Sequence, residues 1–106
     1  MIAVDLFRKL AMSFPGVVEM PHFEKTSFRV NKKIFSTLSE KENIAMVRLS
    51  EVDQSVFCDM NKDAIYPVPG GWGKQGATFI DLKKVKLRVL RDALTCAYNG
   101  VISKKR

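Results

Sequence analysis

The sequence is poor in the residues that most often build reactive or metal centres. Histidine occurs once, tryptophan once and cysteine twice in 106 residues. Cys58 and Cys96 stand 38 positions apart, with no CxxC or HxxxH spacing, so the common zinc patterns are missing and no metal or cofactor is expected. Without an export signal the two cysteines read as free thiols in a reducing compartment. Long apolar runs are absent as well. The longest are only a few residues, as in Asn43-Ile44-Ala45-Met46-Val47, and fall far short of the ~20 residues that span a bilayer. The opening Met1-Ile2-Ala3-Val4-Asp5 has no basic stretch leading into an apolar core, so no signal peptide is expected and the chain reads as cytoplasmic.

Acidic residues are scarce in one part of the chain only. Residues 1–73 carry nine Lys/Arg and nine Asp/Glu, whereas residues 74–106 carry nine Lys/Arg against Asp81 and Asp92. The whole net charge of +7 therefore falls in the last third. Such asymmetry fits a polyanionic partner such as nucleic acid, but a solvated basic helix and tail is the commoner cause, because charge alone is a weak footprint.

What is present is the composition of an ordinary folded domain, 46% hydrophobic and 27% charged. The length accommodates one core, so a single domain over residues 1–106 is expected. Leu6, Phe7, Leu10, Ala11 and Phe14 recur at helical spacing, which predicts a helix over 4–14, stopped by Pro15-Gly16. Residues 17–25, broken by Pro21, read as a connector. Thr26 to Val30 alternates, Asn31-Lys32-Lys33 is a turn, and Ile34–Leu38 and Ile44–Leu49 are rich in β-branched and apolar residues. Ser50 is a candidate N-cap for a short helix ending near Cys58 or Asp59, with Glu51 and Asp53 favourably placed in its first turn. A short strand over 64–68 is consigned to an edge by Pro67. Residues 69–76 read as loop, 77–82 as the last strand, and 84–102 as a final helix whose apolar stripe is Leu87, Leu90, Leu94, Ala97, Tyr98 and Val101. The expectation is an α+β fold: an antiparallel sheet of about five strands with the N- and C-terminal helices packed on one face.

Several of these segments carry a resemblance. Pro15-Gly16-Val17-Val18-Glu19, His22-Phe23, Ser27-Phe28-Arg29-Val30 and Lys33-Ile34-Phe35-Ser36-Thr37-Leu38 are similar to the opening of the MmcQ/YjbR family. Pro67-Val68-Pro69-Gly70-Gly71-Trp72-Gly73-Lys74-Gln75-Gly76, the strand ending in Asp81-Leu82, and a C-terminal helix with Ala97-Tyr98 and a Lys-rich end continue it over about residues 7–105. The resemblance implies a fold like that of CyaY and frataxin, and a DNA-binding role inferred from a double-wing arrangement of strands. It brings no catalytic residue set. Iron binding of the frataxin kind is not expected, because the acids are dispersed among basic residues rather than gathered on a ridge.

Two functional readings follow. In the first, phosphates are contacted without catalysis by Arg29, Lys32 and Lys33 on the first hairpin, Trp72 and Lys74 in the glycine-rich loop, and Lys84, Arg88 and Arg91 on the last helix. That loop leads into a strand rather than a helix, which argues against a nucleotide-binding P-loop. Trp72 either stacks on an exposed base or packs over the sheet edge, and packing is the commoner fate of an indole. In the second reading, a cleft near His22, Phe23 and Trp72 holds a small ligand or a peptide. Glu19 and Glu24 flank His22, but no nucleophile is evident, so an enzyme is not expected.

Overall fold

In the computed structural model, which describes residues 1–103, the alternating segments pair into one antiparallel sheet of six strands. The elements run α1 (Val4–Met12), β1 (Val18–His22), β2 (Lys25–Val30), β3 (Lys33–Ser39), β4 (Ile44–Arg48), α2 (Glu51–Met60), β5 (Ile65–Pro67), α3 (Gly71–Lys74), β6 (Ala77–Asp81) and α4 (Leu87–Ile102). The sheet order is β1-β2-β3-β4-β6-β5. Lys104, Lys105 and Arg106 of the basic tail lie outside the described residues.

The α+β expectation holds, with two corrections. The connector expected over 17–25 contains an edge strand, β1, which supplies the sixth strand. Pro21 obscured it, yet an edge strand tolerates a proline because one side of its backbone needs no partner. The loop expected over 69–76 contains a single helical turn, α3. Elsewhere the local chemistry works as read. Ser50 accepts a hydrogen bond from the Asp53 N–H at 3.0 Å and starts α2. Asn31 and Lys32 both take positive φ, 53° and 67°, the signature of a two-residue type I′ hairpin.

The core lies between one sheet face and the α1/α4 pair. Phe7 and Ala11 of α1, and Leu90, Ala93, Leu94 and Ala97 of α4, are fully buried. They cover Phe28, Leu38, Ala45, Val47 and Ile80 of the sheet. Phe14, Phe35 and Tyr98 form an aromatic knot, with Phe14 stacked on Tyr98 at 4.7 Å between centroids. A β-bulge makes this possible. Phe28 pairs with Ser36 and Arg29 with Ile34, so Phe35 is the extra residue on β3. The bulge turns Phe35 into the core and leaves Ile34 on the opposite face.

Arg8 clasps the outside of this layer, reaching Glu19 of β1 and Glu40 of the β3–β4 turn. The two carboxylates raise the Arg8 pKa, the hydrogen bond to Glu40 most of all and against a lowering by partial burial. Every buried side-chain polar atom among the described residues has a partner. Ser36 donates to the Met46 carbonyl at 2.7 Å and Thr78 to the Gly76 carbonyl at 2.9 Å. No helix among the described residues is long and apolar enough to cross a membrane.

Candidate nucleic-acid interface on the open sheet face

Strand alternation sends every second residue away from the helices. One cross-strand row runs through Met20, Ser27, Thr37, Met46, Phe79 and Tyr66, and spans all six strands. No helix covers the centre of this row. It forms the floor of a groove of about 390 Å³, walled by His22 and Lys25 at one end and by Arg48, Val68, Trp72 and Gln75 at the other. The lining holds no carboxylate; its ionisable side chains are His22, Lys25 and Arg48.

Trp72 reaches this position through α3. Gly70 takes φ 85° and opens a helical turn, and Gly73 packs so tightly that a Cβ there would sit 1.8 Å from the Val68 carbonyl oxygen. The turn is pinned from the far side of the sheet. The Gln54 side-chain amide donates to the carbonyls of Gly73 and Ala77 and to Thr78 Oγ1 at 2.9–3.1 Å. With its base fixed, the indole projects outward and is 66% exposed. The packing of Trp72 over the sheet edge, favoured on sequence grounds, is therefore overturned. The glycines clamp the backbone of the turn and leave the side chain to solvent.

A second groove of about 680 Å³ adjoins the first. Arg29, Lys32, Lys33 and Arg48 line it, with Glu51 as its single carboxylate. Ile34, Arg48 and Gln75 belong to both grooves, so the two are continuous. Among the described residues all ion pairs are made by Arg8, and the four cations of this groove have none. Arg29 Nε donates instead to Ser27 Oγ at 3.0 Å.

The residues singled out in the sequence are thus partly gathered. Arg29, Lys32 and Lys33 share one groove, and His22 and Trp72 share the other. Lys74 is exposed on α3 beside Trp72. Lys84, Arg88 and Arg91 line neither groove. Gly100 and Val101 of α4 line the basic groove, and Arg88 is twelve residues back along that helix, about 18 Å at the α-helical rise. The three-part surface expected from the sequence is therefore divided: Arg88 and Arg91 lie toward the start of α4, away from the end that meets the basic groove, and Lys84, expected on this helix, lies in the turn before it.

Phe23 is a further correction. It was expected to line the cleft with His22, but it caps the two-residue β1–β2 turn and does not line the groove. It is 94% exposed at φ 59°, its ring 4.9 Å from that of His22. A bulky side chain at such a φ costs on the order of 1–3 kcal/mol.

Sequence reasoning missed Arg48, Ile34, Met46 and Phe79. A signal for Arg48 existed, since it is the lone cation in the apolar segment 44–49. The other three were hidden, because apolar residues on both faces of a strand read as a strand buried on both sides.

Both cysteines are free and half-buried. Burial pushes both thiol pKa values up, helped by Asp59 at Cys58 and by Asp53 and Asp92 at Cys96. Among the described residues no cluster of His, Cys, Asp or Glu could hold a metal ion.

No protein-family model matches the sequence, and no curated protein does. Among solved structures the chain is similar to the Deinococcus radiodurans protein DR2400, which carries a DUF419 domain. The TM-score is 0.85 at 18% identity, over 98% of this chain and 81% of that one. At that identity the likeness shows the fold.

Proposed function

We propose that this chain is a non-catalytic nucleic-acid-binding domain that grips phosphates with Arg29, Lys32, Lys33 and Arg48. The observation that carries this reading is the basic groove, in which those four cations face one carboxylate, Glu51, and none is ion-paired among the described residues. Unpaired cations around a concave surface concentrate positive potential, which attracts polyanions and releases their counterions on binding. The resemblance of the sequence to the MmcQ/YjbR family supports the same reading and makes DNA the first nucleic acid to try. Lys74, exposed at the end of α3, lines neither groove and adds only to the surrounding positive charge. Arg88 and Arg91, at the far end of α4, and Lys84, in the turn before it, add long-range attraction.

Fluorescence anisotropy of labelled 20-base-pair DNA at two salt concentrations tests this. Binding weakens as salt rises. Arg29→Glu combined with Lys33→Glu lowers affinity about tenfold or more, and Arg88→Glu has a clearly smaller effect. If neither a duplex nor a single strand binds at low salt, even at high micromolar protein, the reading is wrong.

A second reading is favoured by one feature. The open-face groove of about 390 Å³ lies within the ordinary range of small-ligand sites and is bordered by His22 and Trp72. In that case a low-molecular-weight ligand raises the melting temperature of the protein and protects Trp72 from a soluble quencher, with no effect of Arg29→Glu.

A further inference from the structure

We infer that the open-face groove is a stacking platform for unpaired nucleobases, so that the preferred partner is single-stranded rather than duplex nucleic acid. The inference deepens the proposed function and rests on it. Duplex DNA presents phosphates and keeps its bases stacked on one another. A protein that only grips phosphates has no use for an apolar groove beside its basic one. Here the two grooves are joined through Ile34, Arg48 and Gln75. A strand laid along them places its backbone against Arg29, Lys32, Lys33 and Arg48 and its bases over an apolar floor.

The floor and its rims suit bases. Trp72, two-thirds exposed, offers an indole face at one end. His22 lines the other end, with the nearly fully exposed Phe23 ring edge-on to it. Met46 and Phe79 lie between, and Tyr66 packs edge-on to Phe79 on the same face. Aromatic side chains beside a positive groove are how sequence-tolerant single-strand binders work, because every base has a π-face. Charge complementarity decides against an uncharged or cationic occupant: the groove lining contains no acid, and Lys25 and Arg48 stand at its two ends. Phe23 strengthens the case. An aromatic held at φ 59° in full solvent contributes little to the fold, and strained, exposed positions concentrate where a ligand is met.

The single tryptophan makes the test direct, since fluorescence excited at the red edge, where the two tyrosines do not absorb, reports Trp72 alone. The full chain is titrated with dT20, with a 20-base-pair duplex, with poly-glutamate and with thymidine monophosphate at low salt. The expected result is that dT20 binds at least tenfold more tightly than the duplex and quenches the indole, whereas poly-glutamate binds weakly and leaves it bright. With binding followed by the anisotropy of labelled dT20, since the variants have no indole, Trp72→Ala lowers dT20 affinity about tenfold or more, in line with the loss of one stacked base, and Trp72→Phe recovers most of it. Phe23→Gly, which suits the positive φ and so keeps the protein folded, also weakens dT20 binding. Duplex binding equal to or tighter than dT20, with an unquenched indole and a neutral Trp72→Ala, overturns the inference and leaves the phosphate-binding reading standing. Poly-glutamate or the mononucleotide binding as tightly as dT20 overturns it as well. Absence of binding by both nucleic acids removes the proposed function itself.

Discussion

Neighbouring residues of the same strands meet opposite fates. Leu38, Ala45 and Ile80 pair across β3, β4 and β6 and lie fully buried beneath the α1/α4 layer. Thr37, Met46 and Phe79, each one residue earlier or later, floor a groove with a two-thirds-exposed tryptophan on its rim. The covered face is closed by aromatic contacts and by helices whose apolar stripes match it. The open face is nearly as apolar and has no helix of its own. A globular domain gains stability by covering such a surface, at roughly 25 cal/mol per Å². Here it stays bare next to four cations that make no ion pair among the described residues, and the proposed nucleic-acid site rests on that arrangement.

That contrast can be broken most sharply by truncation on each face. Leu94→Ala removes a fully buried side chain from the covered layer and is expected to cost about 3–5 kcal/mol. Trp72→Ala removes the largest side chain of all but from the exposed rim, and is expected to change stability by no more than about 0.5 kcal/mol. Urea unfolding measures both. A Trp72→Ala loss as large as that of Leu94→Ala would mean that the indole serves the fold, and the two faces would not differ as described.

A smaller effect probes the link between the faces. Gln54 sits on α2 yet holds the backbone of α3, from which Trp72 projects. Gln54→Leu removes this donor from the carbonyls of Gly73 and Ala77, which keep the Gly76 and Val68 N–H groups, and is expected to cost about 0.5–1.5 kcal/mol. Its sharper signature is optical: the emission and quenching of Trp72 change although the substituted residue does not line the open-face groove. Unaltered Trp72 emission would show that α3 holds its position without Gln54.

The smallest effect concerns the thiols. Burial raises the pKa of Cys58 and Cys96 above the ordinary thiol value, so at a given pH the folded protein carries less thiolate than the unfolded chain. Alkylation by iodoacetamide at about pH 8 should be slower in the folded protein than in urea, and the gap should narrow as pH rises through the folded pKa values. The same sign applies to stability: this contribution is fully present below the unfolded pKa and is lost above the folded one. Equal rates in both states would place the two side chains in water rather than at the edge of the covered layer.

Much of the covered layer was legible in the amino-acid sequence. Of the 3.6-residue stripe Leu87, Leu90, Leu94, Ala97, Tyr98 and Val101, the middle four are buried, Val101 is half-buried, and Leu87 at the first turn of α4 is exposed. The Ser50 cap, the Asn31-Lys32 turn and the edge position of Pro67 were legible because each is a short-range effect, decided by a few neighbouring residues. Where local chemistry gave a mixed signal the reading went astray. Pro21 hid β1, and four glycine positions hid the one turn of helix that presents Trp72.

The open face could not be read in the same way. Strand alternation sorts residues into two sets but does not say which set the helices will cover. In this chain the answer is given by α1 and α4, elements far apart in sequence: the Tyr98 hydroxyl of α4 donates to the carbonyl of Pro15, just after α1 and 83 positions earlier. The grouping of the cations is equally non-local. Sequence alone set the charge imbalance and the hairpin that bears Arg29, Lys32 and Lys33. Only the tertiary structure brought Arg48 to that hairpin, carried Arg88 and Arg91 away to the other end of α4, and laid an aromatic groove alongside. The physical reason is that charge and hydropathy belong to single residues, whereas a surface belongs to the pairing register and packing of elements far apart in the chain.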